Sequence, residues 1–398
     1  MTVFHGLPRR SFVLGAAGAV IAGMSCARGA EAARGITDNS ITIGTATDLS
    51  GVTVSLGSNN ANAVRLAFDE ANSRGGVHGR KITYIVEDNQ YQVPKAVQGM
   101  NKLLNRDDIF FALVNSGTPM NEAIMPAMFE KSAPNIFPLT SARSMYEPFN
   151  RFKFGQFASY YDQMRAGVKY FVEKQGKKSI GAMTFDTDYG KEVLVGTVAQ
   201  LEVMGMKMAG QSTHTPTEVN FNGSMTKLRE QGCDLIVLAT AVKDTIIIVQ
   251  TARKMGWDVA FLGNLATYST AIAEAPGAPA EGFYSMSPGL YAYPDDPRPP
   301  VRDFFTKFKK AYGIDPNYFG EAGYTAATFV LTALEKAGRD LNLETFLTAM
   351  ESMKDWQDIF GSPPLSLSPT NHHASSQSFL SIIKDSRWVP VVQEPLGY

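Results

Sequence analysis

Cysteine is nearly missing from this chain: Cys26 and Cys233 are the only two in 398 residues. If a leader carrying Cys26 is removed, no intrachain disulfide can form, even in an oxidising compartment. Cys233, between Gly232 and Asp234 and ahead of an apolar run, then reads as a small packed residue. Charge of one sign is also lacking. The formal net charge is −1 and there is no basic run, which removes the electrostatic case for a nucleic-acid partner. Histidine is scarce, at five residues. The one adjacent pair, His372-His373, lies in a Ser/Thr/Pro-rich stretch with neither a cysteine nor a spaced acid beside it, so a surface loop is expected there rather than a metal site. Neither a G-x-x-x-x-G-K-[ST] phosphate loop, an H-E-x-x-H helix nor a G-x-S-x-G elbow occurs. Gly75-Gly76-Val77-His78-Gly79 follows a helical pattern rather than a strand and reads as a turn, not a dinucleotide site. No enzyme activity, metal or cofactor is expected, and no apolar run is long enough to span a membrane.

What is present begins with an export signal, expected over residues 1–32. Arg9-Arg10 precede Ser11-Phe12-Val13-Leu14, an apolar stretch runs to Met24, and Ala30-Glu31-Ala32 offers a small-x-small cleavage site. The paired arginines resemble the twin-arginine type. An ordinary secretory signal with two arginines is the alternative, and Gly23 stands where a lipoprotein signal ahead of Cys26 would carry an aliphatic residue. Cleavage after Ala32 takes Arg9, Arg10, Arg28 and Glu31 and moves the formal net charge from −1 to −3. The remaining 366 of the 398 residues exceed what one core usually serves, so two lobes are expected.

Short apolar runs alternate with amphipathic stretches. Ile41–Ala46, Lys81–Glu87, Ile109–Val114 and Asn135–Leu139 read as strands; Asn59–Ser73, Pro94–Asn105 and Met120–Lys131 read as helices between them. The alternation restarts after residue 160. Strands are expected at Ser179–Phe185, Lys207–Gln211, Asp234–Ala239 and Ala260–Gly263, and helices at Asp162–Gln175, Gly190–Met204, Phe221–Glu230 and Asp244–Met255. Further helices are expected at Val301–Tyr312 and Tyr324–Ala337, and strands at Gly282–Met286 and Ser378–Lys384. Repeated β-α-β units of this kind specify parallel sheets covered by helices, hence an α/β fold of two Rossmann-like lobes.

An ordered set of short strings resembles a known family. It comprises Thr47-Asp48-Leu49-Ser50-Gly51, Gly57, Asp69-Glu70-Ala71-Asn72, Gly75-Gly76-Val77-His78-Gly79-Arg80-Lys81-Ile82, Glu87-Asp88, Asp188-Tyr189-Gly190 and Lys254-Met255-Gly256-Trp257. The chain resembles type I periplasmic binding proteins of the branched-chain amino-acid-binding group, the solute receptors of ATP-driven importers. The resemblance covers about residues 36 to 398. It implies three crossovers between the lobes, placed near Gly155–Ser159, Gly282–Ser287 and Asp355–Gly361. Lobe 1 would then hold residues 36–155 and 283–355, and lobe 2 residues 156–282 and 356–398. It also implies a monomer in the periplasm, a small-molecule ligand in a hinged cleft, and an ABC permease complex as partner.

The strand ending in Asn115-Ser116-Gly117-Thr118 leads into a helix with Pro119 in its first turn, and the next ends in Leu139-Thr140-Ser141-Ala142. Hydroxyls and unpaired N–H groups at a helix start suit a carboxylate, although Ser and Thr there also serve as plain helix caps. The resemblance implies that Thr118, Leu139, Thr140 and Ser141, with Ser116 close by, hold the ligand carboxylate, and that Tyr189 covers the ligand from the second lobe. The family's amino-acid binders place an acid after the strand matching Ala260–Gly263, to pair with the ligand ammonium. Here that loop reads Asn264-Leu265-Ala266-Thr267-Tyr268, with Leu265 at the expected position. A buried ammonium without an anion is costly. The expected ligand is therefore a carboxylate without an α-amino group, aromatic or branched aliphatic, in a cleft flanked by Tyr91, Tyr160, Phe185, Leu265 and Tyr268. Asp186 and Asp244 keep an amino-acid ligand open as an alternative, and the same fold can feed a membrane sensor instead of a permease.

Overall fold

The computed structural model describes residues 34–277 and 279–398. The expected export signal and Cys26 lie outside them. The first sheet is built from β1 (Ser40–Thr47), β2 (Lys81–Asp88), β3 (Phe111–Leu113), β4 (Asn135–Ile136) and β5 (Lys153–Phe154). They alternate with α1 (Val54–Ser73), α2 (Val93–Asn105) and α3 (Thr118–Glu130). All five strands are parallel, in the order β2-β1-β3-β4-β5.

The second unit opens with α4 (Tyr160–Gln175), β6 (Ile180–Phe185), α5 (Asp188–Val203), β7 (Gly210–His214) and α6 (Asn222–Glu230). It continues through β8 (Leu235–Ala239), α7 (Val242–Lys254), β9 (Ala260–Gly263), α8 (Thr270–Ala273) and β10 (Tyr284–Ser287). Then α9 (Pro299–Tyr312), α10 (Tyr318–Ala337) and α11 (Leu343–Glu351) return to the first lobe, where α10 packs along α1. The antiparallel pair β11 (Phe379–Lys384) and β12 (Arg387–Pro390) closes the second sheet, ordered β12-β11-β10-β9-β8-β6-β7.

Composition explains this layering. β8 reads Leu-Ile-Val-Leu-Ala and is buried along its whole length, as a parallel strand covered by helices on both faces must be. The α1–α10 contact is close because Gly323 faces the Asn60 carbonyl, where a β-carbon would crowd, and Asn60 Nδ2 donates to the Phe319 carbonyl at 3.0 Å. In both sheets the chain starts in the interior and winds outward in both directions, which places a topological switch between β1 and β3 and another between β6 and β8. Ligands of such sheets bind beyond the carboxyl ends of the strands at those switches.

The sequence places the first crossover at residues 155–159, between β5 and α4. At the other two the strand pairings differ from the expected division. β10 pairs in parallel with β9 and antiparallel with β11, and Phe283 is buried in the second core, so residues 283–287 belong to lobe 2 and the crossover follows them. The tail after Asp355 stays on lobe 1. Trp356 and Leu365 bridge each other, Leu365, Leu367 and Ala374 enter the first core, and His373 pairs with Gly155, so the chain crosses only between Ala374 and Phe379. The expected surface position of His372-His373 is also corrected. His372 is buried, stacked on Phe154 with centroids 3.9 Å apart, and its Nδ1 meets the Lys153 carbonyl at 2.9 Å. His373 stacks on Tyr146 at 4.0 Å, and its Nε2 meets the Phe157 carbonyl at 2.8 Å. Aromatic neighbours more than 200 residues distant, not local composition, set their burial.

Candidate functional site

The site is assembled from strand ends. At the end of β1, the buried Asp48 carboxylate accepts from the backbone of Ser50, Gly51 and Thr53 and from the Thr53 hydroxyl, which shapes the rim loop. Gly57 lets α1 approach closely; a β-carbon there would overlap the Asp48 carbonyl oxygen. Beyond β3, three buried asparagines tie the neighbouring segments together. Asn115 Nδ2 donates to Asn135 Oδ1 at 2.9 Å, Asn135 Nδ2 donates to Asn121 Oδ1 at 2.9 Å, and Asn121 Nδ2 donates to the Asn115 and Gly117 carbonyls. This closed network fixes Ser116, Gly117 and Thr118 at the start of α3.

That helix start has no side-chain cap, so the capping role open to Ser116 and Thr118 is not the one they take. Thr118 is the first helical residue, and its hydroxyl lies 2.7 Å from that of Thr140. Two hydroxyl hydrogens share one mutual bond, so one remains for another acceptor. Among the described residues neither the Thr118 nor the Met120 amide has an acceptor. Ser116 Oγ instead accepts from the Asp48 amide at 3.0 Å, fastening the rim loop to the β3 end.

On lobe 2, α5 is capped by Thr187, and Gly190 allows its first turn to lie on the end of β6, where a β-carbon would overlap the Phe185 carbonyl oxygen. That contact aims Tyr189 inward. Its hydroxyl donates to Asn264 Oδ1 at 3.0 Å, and its ring lies 4.9 Å from that of Tyr160. Burial pushes the Tyr160 hydroxyl up to about 12, so it acts as a neutral donor and acceptor. Tyr91 reaches in from lobe 1. Its backbone lies in the left-handed region, at φ 53°, with its amide held by Asn89 Oδ1 at 2.9 Å, and its ring sits 6.4 Å from Phe185 across the cleft.

These residues leave an unfilled space between the lobes. Lobe 1 lines it with Thr53, Leu56, Tyr91, Ser116, Gly117, Thr118, Leu139 and Thr140; lobe 2 lines it with Tyr160, Phe185, Tyr189, Thr240, Ala241 and Ala266. Six of the expected site residues thus share one cavity: Ser116, Thr118, Leu139, Thr140, Tyr160 and Tyr189. The other two stand behind it. Ser141 is buried, its hydroxyl has no partner among the described residues, and its carbonyl accepts from the Tyr160 amide at 2.8 Å. Leu265 is buried with its amide donating to Gln163 Oε1, and its neighbour Ala266 reaches the cavity instead. Tyr268, expected nearby, is packed against Tyr291, Tyr318 and Trp388. Thr53, Leu56, Thr240 and Ala241 are additional lining residues.

No charged side chain is among the lining residues. Leu265 stands where an acid would face an ammonium, and the amide oxygen of its neighbour Asn264 is already engaged by Tyr189 and by the Ala266 amide. Asp186 is exposed. Asp244 is buried at the start of α7 outside the lining set, and burial pushes its carboxyl up to about 7.

Residues 40–387 match the family model described as "Periplasmic binding protein". The chain belongs to the periplasmic binding protein family. Within that family it is a type I binding protein of the branched-chain amino-acid-binding group, of the ABC-transporter type. A leucine-, isoleucine-, valine-, threonine- and alanine-binding protein of Pseudomonas aeruginosa is 24% identical over 278 residues, covering 69% of this chain and 72% of that protein. A fatty acid ABC transporter substrate-binding protein from Thermomonospora curvata superposes with a TM-score of 0.83 at 25% identity, covering 92% of this chain and 94% of that one. An ABC transporter solute-binding protein from R. palustris, solved with benzoate, superposes with a TM-score of 0.79 at 17% identity and 90% and 98% coverage, a likeness of fold. Members of the family are solute-binding proteins, not enzymes. Among the described residues no helix of this binding protein is long and apolar enough to cross a membrane.

Proposed function

We propose that this chain is the exported, periplasmic solute receptor of an ABC importer, and that its ligand is a small organic carboxylate without an α-amino group, aromatic or branched aliphatic. The observation that carries the ligand class is the one-sided polarity of the cavity. Its lobe-1 end offers the uncapped start of α3 and the Thr118–Thr140 hydroxyl pair, a setting for an anion. Its remaining walls are aromatic, aliphatic or neutral, and none of them carries an acid. A carboxylate is thus accommodated, while an α-ammonium would lose water without gaining a counter-charge. Proteins of this architecture bind amino acids, fatty acids and benzoate according to their names, and the carboxylate is the group those ligands share. The roles assigned here are carboxylate contacts for Thr118 and Thr140, with Ser116 and Ser141 supporting them, Tyr160 and Tyr189 as ring and hydroxyl contacts, and Leu139 and the Leu265–Ala266 turn as apolar wall.

Isothermal titration calorimetry of the purified protein with benzoate, 4-hydroxybenzoate and 3-methylbutanoate against leucine and valine tests the reading. The acids are expected to bind at least about tenfold tighter than the amino acids, given the cost of an unpaired buried ammonium. Tight leucine or valine binding with no response to the acids refutes it and favours the amino-acid alternative that the Pseudomonas relative represents.

A further inference from the structure

A second, small cavity, with room for about one water-sized species, lies among the crossovers, on the residues that join the lobes. All three crossovers contribute to its wall: Gln156 from the first, Pro288 from the second and Ser375 from the third. Glu321, in the first turn of α10, also lines it and is 2% exposed. Its Oε2 accepts a long bond from the Ala292 amide at 3.4 Å, while Oε1 has no partner among the described residues. No basic side chain pairs with it. Arg298 is committed to Asp296 through bonds of 2.8 and 2.6 Å, and the other nearby carboxylate, Asp358, accepts from the Thr325 hydroxyl and the Phe360 and Ser362 amides. A buried carboxyl oxygen without a donor, on a residue that lines a cavity, is expensive to keep unless something else fills that role.

We propose that this hinge cavity is a binding site for a monovalent inorganic cation, with Glu321 as its one charged donor, and that its occupancy is linked to lobe closure. The donors along the wall are oxygens: the Glu321 carboxylate, the Gln156 amide and the Tyr318, Ser362 and Ser375 hydroxyls. The absence of imidazole and thiolate from this wall disfavours transition metals. A single uncommitted carboxylate suits one positive charge better than two, because sites for divalent ions gather several carboxylates. Burial holds the Glu321 carboxyl well above the ordinary carboxylate range; Asp358 and Asp296 push it the same way, while the Ala292 amide and Arg298 oppose them. A cation entering the cavity therefore replaces a proton on that carboxyl. Tyr291 and Tyr318, whose hydroxyls face the same charge, stay protonated throughout. Because each crossover supplies a wall, hinge motion changes the donor geometry, and by linkage the cation changes the closure equilibrium.

The test is thermal unfolding of the full protein, free of cleft ligand, in sodium chloride against choline chloride at equal ionic strength. The melting temperature is expected to be about 2 °C or more higher in sodium once sodium exceeds its dissociation constant about tenfold. Glu321→Gln keeps the side-chain shape and is expected to abolish the difference; Gln156→Met, which does not disturb the buried carboxyl, is expected to diminish it and serves if the first variant does not fold. Equal wild-type melting in both salts overturns the site, and so does a difference that survives in the variants. Calorimetry in the two salts of whichever of benzoate, 3-methylbutanoate and leucine binds most tightly reads the linkage: a change in affinity that Glu321→Gln removes supports it, and unchanged affinity overturns it.

Discussion

Asp244 separates two accounts of the ligand. It is 4% exposed, its Oδ2 has no partner among the described residues, and burial pushes its carboxyl from an ordinary 3.8 up to about 7. If it served as the counter-charge to a ligand ammonium, replacing it would abolish amino-acid binding. If the cleft takes an acid without an ammonium, Asp244 is a buried charge that the fold tolerates at a cost. The sign of that cost follows from linkage. A carboxyl whose folded value is raised gives no penalty below the unfolded value near 3.8; the penalty grows as the pH rises and is complete above about 7. The penalty from the charge reaches roughly 4 kcal/mol at pH 8, against roughly 1.5 kcal/mol at pH 5.

Asp244→Asn removes the charge and leaves a carbonyl oxygen to accept from the Ala241 backbone. The new amide N–H₂ requires an acceptor, and its desolvation costs about 1–3 kcal/mol at every pH. The difference between pH values is therefore the clean quantity. Urea unfolding of wild type and variant at pH 5 and pH 8 is expected to show the variant gaining about 2–3 kcal/mol on the wild type between the two. The affinity for an aromatic or aliphatic acid is expected to stay within about twofold, because Asp244 is outside the cavity lining. A gap that does not change with pH refutes the assignment of a buried, raised carboxyl. Loss of more than about thirtyfold in affinity refutes its exclusion from the site.

Thr140→Val removes one half of the hydroxyl pair with Thr118 and is expected to weaken acid binding about tenfold, roughly 1–2 kcal/mol, in calorimetry; unchanged affinity would remove this pair from the site. Glu192→Gln breaks a pair that spans the cleft, in which Arg143 Nε donates to Glu192 Oε1 at 2.6 Å, and is expected to weaken ligand affinity about two- to fivefold, with the wild-type affinity falling in high salt and the variant's not. His373 is held below its ordinary value of 6.5 by burial, so its contribution to stability is whole above 6.5 and is lost as the pH falls through its folded value. Relative to His373→Gln, the wild type is expected to lose stability between pH 7.5 and pH 5 in urea titrations, and parallel profiles would contradict this.

The legible part of the fold was its alternation. Runs such as Leu235–Ala239, followed by amphipathic stretches, placed β8 and α7 and the units around them. The family resemblance then pointed to Ser116, Thr118, Thr140 and Tyr189, and these four residues line one cavity at the strand ends. What stayed hidden depends on partners distant in sequence. Phe283 and Tyr284 carry no local mark assigning them to lobe 2; pairing with Leu262 and Ile382 does that. The tail after Asp355 carries no run that marks its place on lobe 1, because its pairs, Trp356 with Leu365 and Gly155 with His373, are isolated bridges. Asn115, Asn121 and Asn135 gave a weak signal, three amides within otherwise apolar segments, whose meaning appears only when they meet. Two positions assigned by the family string, Ser141 and Leu265, fell one residue behind the surface of the cavity, within the error that any string match carries at a turn.

The distribution of chemistry between the lobes bears on how closure is driven. A ligand shifts a two-state equilibrium only by the difference between its interactions in the two states. Here lobe 1 holds the anion-directed groups, fixed by the asparagine network, and lobe 2 holds Tyr160, Phe185 and Tyr189, which have apolar faces to offer. A carboxylate can therefore dock on lobe 1 alone, and only its body discriminates closed from open. Two contacts seen across the cleft, Arg143 with Glu192 and the Tyr160 amide with the Ser141 carbonyl, need no ligand at all. Together they lower the free energy that a ligand must supply for closure, so a small acid with a modest apolar body suffices. In this reading, the size and shape of the ligand's body set how far the receptor closes, and its carboxylate sets whether it binds.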